Sequence, residues 1–405
     1  MKVVIIGAGA SGLLSAIYAA KEGNEVTILE KNSKAGKKLL ITGNGRCNYF
    51  NSDVNVNHYY SNDIDILENI ITKENKEKIL NFFENIGIVP RIKNGYYYPY
   101  SNKAVSIKDA LVKECELLGV NTILDFNVKN VIKEDKFIIE SDSKKIIADK
   151  VILSLGSKAY PKTGSDGKGY EMASSFGHNI IKPLPALTSL IGNEKYFNAW
   201  DGVRSEVKLT LLENNKKIKE EVGEVQFTSY GISGISVFNL SSLVSIGLDN
   251  NKKEDIVINF IPYLNTVEEV IEYLNKRSEI VTGRTIFELL EGILDYKLIK
   301  VILDEAGIDP EKYLEELNKK EVYNLALYLH SFTLNIKGTK SFDNAQVCSG
   351  GVPLSEINPL TMESKLVKDL YIVGELLDVN GDCGGFNLAF AFISGMLAGE
   401  GAKNA

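Results

Sequence analysis

The sequence predicts an α/β fold in which both ends of the chain build one parallel sheet around a long insertion. Three observations lead there. Residues 2–6 are an apolar, β-branched run that enters a GxGxxG turn at residues 7–12, the opening of a βαβ unit with a buried parallel strand. Residues 370–375 are a second buried apolar run, again followed by glycines and a small-residue helix. Between them, from 188 to 345, the composition changes to short β runs and then to charged helical sequence, a pattern that neither end continues.

In the opening unit each glycine has a physical reason. Gly7 permits the tight turn, Gly9 lets the backbone approach a pyrophosphate, and Gly12 lets helix and strand pack closely. A helix over 13–22 is closed by Gly23, and a strand over 25–30 ends in an acid. The helix start, with Ala10 and Ser11 in the turn before it, offers unpaired N–H groups and a positive dipole end to phosphates. Glu30 is placed to accept hydrogen bonds from a ribose diol. Strand, helix and strand-end acid together point to an ADP-containing dinucleotide rather than a plain βαβ core unit.

The bulk properties narrow the class. A chain of 405 residues exceeds one typical core and implies two or three domains. Hydrophobic residues at 44% and charged residues at 24% are ordinary for a globular protein. A net charge of −7 argues against nucleic acid or an anionic membrane surface as the main partner. No apolar run is long enough to span a bilayer, and the first apolar run is needed as a strand rather than as a secretory signal. Cys47, Cys115, Cys348 and Cys383 form no CxxC pair, so no metal site and no dithiol redox motif is expected. The expected location is the cytoplasm. The sequence sets no oligomeric state.

After Glu30, residues 31–48 are too rich in glycine and in cations (Lys31, Lys37, Lys38, Arg46) for a regular element. As a loop this stretch offers N–H groups and positive charge at the strand ends, where open α/β sheets bind ligands; the alternative is a solvated connector. Residues 63–86 read as two helices broken near Thr72, and 88–100 as a hairpin turning at 93–95. Tyr96, Tyr97, Tyr98 and Tyr100 either line a pocket for a flat substrate or serve ordinary edge packing. Ser106 is the expected cap of a helix reaching Leu118. Strands are expected at 121–125, 127–133 (with Val128), 136–140 and 144–148, and a buried strand over 151–156 ends at Gly156. Gly164, Gly167 and Gly169 are not a second dinucleotide fingerprint, because no strand leads into them; a phosphate- or flavin-facing loop fits better. The expected domains are 1–187, an inserted β-domain at 188–265 with runs at 203–212, 222–228, 235–240 and 255–260, a helical subdomain at 266–330, a return strand at 331–345, and 346–405 completing the first domain.

The C-terminal run supplies the other half of a long dinucleotide. Asp378 or Asp382 is positioned for a ribityl chain or, through water, for the pyrophosphate. Gly384 and Gly385 let the backbone come close to a planar ring, and the helix start near Phe386 can stabilise negative charge. Two phosphate-competent regions at opposite ends of one domain suit FAD better than NAD, and no other stretch forms a complete nicotinamide-binding unit.

Six stretches also carry a resemblance. They are Gly7 to Gly12 with Glu30, residues 38–48 (KLLITGNGRCN), 160–165 (YPKTGS), 361–366 (TMESKL), 374–378 (GELLD) and 381–387 (GDCGGFN). Together they resemble the aminoacetone-oxidase-like FAD-binding family of bacterial flavoproteins, which includes the BaiN-type proteins proposed as flavin reductases in bile-acid metabolism. The resemblance spans nearly the whole chain. It implies a Rossmann-type FAD-binding domain built from both chain ends, with an inserted β-barrel-like domain and a helical subdomain over the flavin. It also implies oxidoreductase activity on a small-molecule substrate. Lys38, Gly45, Arg46, Cys47 and Asn48 then lie near flavin or pyrophosphate, and Gly374, Glu375, Asp378, Gly384, Gly385, Phe386 and Asn387 along the ribityl–ring half. Lys31, Val128 and Gly156 complete the expected cofactor set. Cys383 departs from the family pattern, where threonine is expected.

With FAD bound, the expected chemistry is hydride transfer through flavin N5. The donor is either NAD(P)H binding transiently or, in an amine oxidase, the amine itself, and the acceptor is an activated C=C bond (a reductase) or dioxygen (an oxidase). A flavoprotein that senses redox state or docks a partner without turnover is the alternative of another class. Tyr98 or Tyr100 is a candidate proton donor, and Arg46 or Lys162 a candidate to polarise a carbonyl. His58, His178 and His330 lie in no glycine-rich motif, so each reads as structural or surface.

Overall fold

The computed structural model describes residues 1–403. It separates into two compact units, Met1–Leu184 joined by the segment from Gln346 onward, and Pro185–Ala345.

The first unit is organised by a parallel sheet. Its strands are β1 (Lys2–Ile6), β2 (Glu25–Leu29), β3 (Asn121–Ile123), β4 (Lys150–Leu153) and β5 (Leu370–Ile372), in the order β5-β4-β1-β2-β3. Every neighbouring pair is parallel. The Val/Ile-rich runs are buried on both faces, as a covered parallel sheet requires. The order reverses beside β1, so the ligand-binding position of such a sheet falls beyond the C-terminal ends of β1 and β4. Two helices pack together there, α1 (Ala10–Lys21) and α2 (Phe386–Gly401). A Cβ added to Gly395 would stand 2.4 Å from the Ser11 carbonyl oxygen, and one on Gly399 2.5 Å from Tyr18 Cβ. The small residues of α2 therefore set how closely the chain's two ends approach.

Several elements depart from expectation. The helix after Lys103 is Ala104–Leu117, so Ser106 lies inside it, and its Oγ bonds Ser101 Oγ instead of capping. Asp125 takes a left-handed φ of 54° and Phe126 donates its N–H to the Glu30 carbonyl. That break ends β3 at Ile123 and delays the next strand to Asn130–Lys133, leaving Val128 buried between them.

The second unit is an antiparallel sheet ordered Phe332–Ile336, Glu254–Asn259, Arg204–Glu213, Lys216–Thr228, Gly231–Ser233, Leu190–Ile191, Gly338–Thr339. Its two edges are consecutive pieces of one stretch of chain, so the order returns to where it began. Trp200, Phe227, Phe260 and Phe332 form an aromatic core. The β run expected at 235–240 is instead the start of a helix, Ile235–Asp249. Its buried residues Val237, Leu240, Ser241, Val244 and Ser245 recur at steps of three and four, a period visible only over a window longer than six residues. Among the described residues no helix is long and apolar enough to cross a membrane.

Candidate functional site

At the first glycine turn, Gly7 has a φ of 105° and an added Cβ would lie 2.6 Å from the Ser154 carbonyl oxygen. On Gly12 it would lie 2.0 Å from the Gly7 oxygen. Gly7 is required by packing against Ser154, just past β4, and Gly12 by packing against the Gly7 carbonyl and the Ser154 side chain. Gly9 differs: a Cβ there would meet nothing within 4 Å among the described residues. Gly9 caps α1 with no side-chain hydrogen bond among the described residues and no acid in the first turn, which leaves the helix start for an anion. Glu30 Oε2 accepts from Ala8 N–H at 2.8 Å, and Oε1 accepts from Asn32 N–H at 2.8 Å. Lys31 Nζ pairs with Asp166 at 2.7 Å, and Asn32 Nδ2 donates to the Thr163 carbonyl at 3.2 Å. These bonds bring the 157–167 loop, with exposed Lys162, to this end. Gly156 adopts a φ of 73°, close to Ser165 Oγ.

Next along the strand ends, Gly374 (φ 66°) sits against α1, where an added Cβ would approach Ser11 Oγ to 2.6 Å. Glu375 Oε2 pairs with Lys38 Nζ at 2.6 Å, joining residues from opposite ends of the sequence. Glu375 Oε1 is buried with no hydrogen-bond partner among the described residues. Asp378 is committed elsewhere: Oδ2 accepts from Asn62 N–H at 3.0 Å and Oδ1 from Gly350 N–H at 3.1 Å. Burial pushes its carboxyl above the ordinary range against those two bonds. Asp378 therefore braces its loop as Glu30 braces the first turn, each carboxylate oxygen keeping a lone pair beyond its backbone bond. Burial also pushes the neighbouring Cys348 thiol up to about 11.

The far end is built from residues 43–51 and 381–387. Gly43, Asn44, Gly45 and Cys47 all take positive φ (55°, 55°, 78° and 57°), which explains two glycines and an asparagine in this loop. Cys47 is buried, and burial pushes its thiol up to about 12, so it is an inert neutral group. Gly385, at φ 96°, lies so close to the loop that an added Cβ would stand 2.5 Å from the Phe50 carbonyl oxygen and 2.9 Å from Asn48 Oδ1. That Asn48 oxygen is buried and has no hydrogen-bond partner among the described residues. Asn51 Nδ2 donates to the Gly384 carbonyl at 2.8 Å. Asn387 closes the turn with its own side chain, accepting from Gly381 N–H and donating to Gly381 O, both at 2.8 Å. The Arg46 guanidinium lies over the half-buried Tyr98 ring, 5.4 Å from its centre. Tyr100 is 70% exposed at the strand end and is not brought into this group.

Asn51 was not singled out in the sequence, and His58 read only as structural or surface. Asn51 and His58 lie in an asparagine-rich segment with no glycine pattern to draw attention to them. His58 stacks on Phe386, the first residue of α2, with ring centres 4.3 Å apart and planes 16° apart. Its carboxylate partner Asp382 is 324 residues away in sequence, so no local spacing reveals the pair.

These groups fit a flavin dinucleotide. An uncapped helix start and an open Gly9 face suit a pyrophosphate, and the buried acceptors Glu375 Oε1 and Asn48 Oδ1 suit hydroxyl and ring N–H donors.

Comparison with known proteins agrees with this architecture. The model of the HI0933-like protein Rossmann domain family matches residues 1–401. A 3-dehydro-bile acid delta(4,6)-reductase from Clostridium scindens is 37% identical over 99% of this chain and 98% of its own length. A ribosomal RNA dihydrouridine synthase from Haemophilus influenzae is 29% identical over 96% of each chain. Among solved structures, the 3-ketosteroid-delta4-(5alpha)-dehydrogenase from Rhodococcus jostii RHA1 superposes with a TM-score of 0.50 at 15% identity, covering 100% of this chain and 96% of that one; this likeness concerns the fold.

Proposed function

The chain belongs to the HI0933-like Rossmann-domain family of FAD-dependent oxidoreductases, and from that premise we propose that it reduces an activated C=C bond in a small organic molecule. The observation behind this reading is the pair of anion- and ring-competent glycine turns at the two ends of one row of strand termini. The start of α1, with Gly9, Ala10 and Ser11, holds the pyrophosphate, and Glu30 holds the adenosine ribose. Lys38 and Glu375 take the ribityl chain, and Asn48, Gly384, Gly385 and Phe386 border the ring. Bound FAD supplies hydride transfer at its N5 atom. Arg46, held over Tyr98, orients the carbonyl that activates the double bond.

The two named relatives, a delta(4,6)-reductase and a dihydrouridine synthase, both carry names that describe adding hydrogen across a double bond. A small molecule is favoured over RNA by the net charge of −7 and by the higher identity to the bile-acid enzyme. The cytoplasm is the proposed location, with the buried thiols of Cys47, Cys115 and Cys348 kept reduced.

The test is anaerobic. NADH or NADPH should bleach the bound FAD, and a conjugated steroid or other enone should restore its colour without dioxygen. Recovery only in air, with peroxide formed, would support an amine oxidase instead. Recovery only with uridine-containing ribosomal RNA would move the substrate to RNA. No bleaching by nicotinamide or amine donors would leave a sensor.

A further inference from the structure

We propose that the Tyr170 hydroxyl and Glu375 Oε1 hold one hydroxyl of the flavin's ribityl chain between them, which makes Tyr170 a further binding residue for FAD; the role rests on the placement of FAD given above.

The segments that leave β1, β4 and β5 meet at this place. Tyr170 is carried by the helix Lys168–Ser175. Its neighbour Gly169 is wedged between the other two segments: an added Cβ would stand 3.1 Å from Leu155 Cβ and 2.9 Å from Leu376 Cδ1. Leu376 follows Glu375 in the chain, and Gly374 before it lies against Ser11 at the start of α1. Tyr170 and Glu375 therefore border the position just beyond the pyrophosphate, where the polyol of a flavin dinucleotide leaves its phosphates.

Each of the two groups has a hydrogen bond to make. Tyr170 is 7% exposed, and its hydroxyl is buried with no hydrogen-bond partner among the described residues. A phenylalanine would fill the same space, and a hydroxyl buried alone only costs stability. Burial, then the neighbouring Cys348, Glu375 and Asp378, push the acidity of Tyr170 well above the ordinary tyrosine range, so the phenol keeps its proton and can donate it. Glu375 Oε2 is spent on Lys38 at 2.6 Å, while Oε1 is buried and bonded to nothing among the described residues.

The chemistry of the pair selects the occupant. Tyr170 needs an acceptor, and the ion-paired Glu375 carboxylate needs a donor. A hydroxyl does both at a single atom. A phosphate oxygen only accepts, and Glu375 repels its charge; a ring N–H only donates. FAD carries hydroxyls in two places, and the adenosine ribose is placed at Glu30, which leaves the ribityl chain. A water molecule has the same chemistry, and the experiment separates the two.

The test is calorimetric titration of flavin-free native protein and Tyr170→Phe with FAD, with ADP, and with the 2′-, 3′- and 4′-deoxyribityl analogues of FAD. The variant should bind FAD about 10-fold more weakly and ADP as the native protein does. One analogue should lose a similar factor in the native protein and nothing further in the variant. The flavin-free variant should melt no lower than the flavin-free native protein, because the hydroxyl gives up no bond there. Unchanged FAD affinity in Tyr170→Phe would overturn the proposal. An equal loss with FAD and with every deoxyribityl analogue would overturn it too, by assigning the hydroxyl to a water. A lower melting temperature of the flavin-free variant would give Tyr170 a structural role instead. Native protein that binds no FAD would remove the cofactor placement itself, an outcome distinct from native binding with an indifferent Tyr170.

Discussion

At the turn of residues 7–12 the backbone alone is packed to contact, whereas the turn of residues 381–385, also close-packed at Gly385, is tied in addition by side chains from distant parts of the chain. Gly7 and Gly12 lie against Ser154 and each other with no room for a Cβ. The far turn depends on Asn51, His58, Tyr59 and Asn387. The first arrangement is a property of strand–helix packing and serves any dinucleotide. The second leaves a specific acceptor beside it, Asn48 Oδ1, without a partner among the described residues. One end fixes where a phosphate can sit, and the other selects what is attached to it.

The largest effect should come from Gly12→Val, which drives a side chain into the Gly7 carbonyl. It should cost about 3 kcal/mol or more and lower the thermal midpoint by at least about 6 °C, read by circular dichroism. Gly9→Val separates packing from binding. Since the Gly9 position faces open space, the variant should melt within about 2 °C of flavin-free native protein yet purify without flavin colour. A yellow Gly9→Val protein would contradict the phosphate placement. Glu30→Ala should weaken FAD binding by about 1.5–3 kcal/mol, the scale of charge-assisted hydrogen bonds; an unchanged dissociation constant would remove Glu30 from the ribose.

The smallest effect concerns pH. Burial raises the Asp378 carboxyl above its ordinary value of 3.8, so the folded state binds a proton more tightly than the unfolded chain. Stability from this group is therefore fully present below that ordinary value and is lost as pH rises through the raised one. Asp378→Asn should flatten that slope in melts across the acid range, and a slope that persists would place it in another group.

How much of this was legible in the sequence follows the same division. The β1–α1–β2 unit could be read because its signals are local: a strand, three glycines at fixed spacing and an acid all fall within thirty residues. The Lys38–Glu375 pair came from motifs at the chain ends, and only the structure shows that they are ion-paired. His58 read as structural or surface in the sequence, and its contacts with Asp382 and Phe386, both over 300 residues away, show only in the structure. Nothing in the sequence shows that Asp378 also accepts from the Asn62 and Gly350 amides, because both partners are distant in the chain or in another loop. Residues 235–240 read as a strand because six residues are too few to tell a buried helix from a buried strand.

The central claim is that one molecule is held at both turns, and calorimetric binding of FAD, FMN and ADP to the flavin-free protein tests it most directly. If both ends are used together, FAD should bind at least about 100-fold more tightly than either fragment. Equal affinity for FMN and FAD would contradict the account, because the turn of residues 7–12 would then contribute nothing.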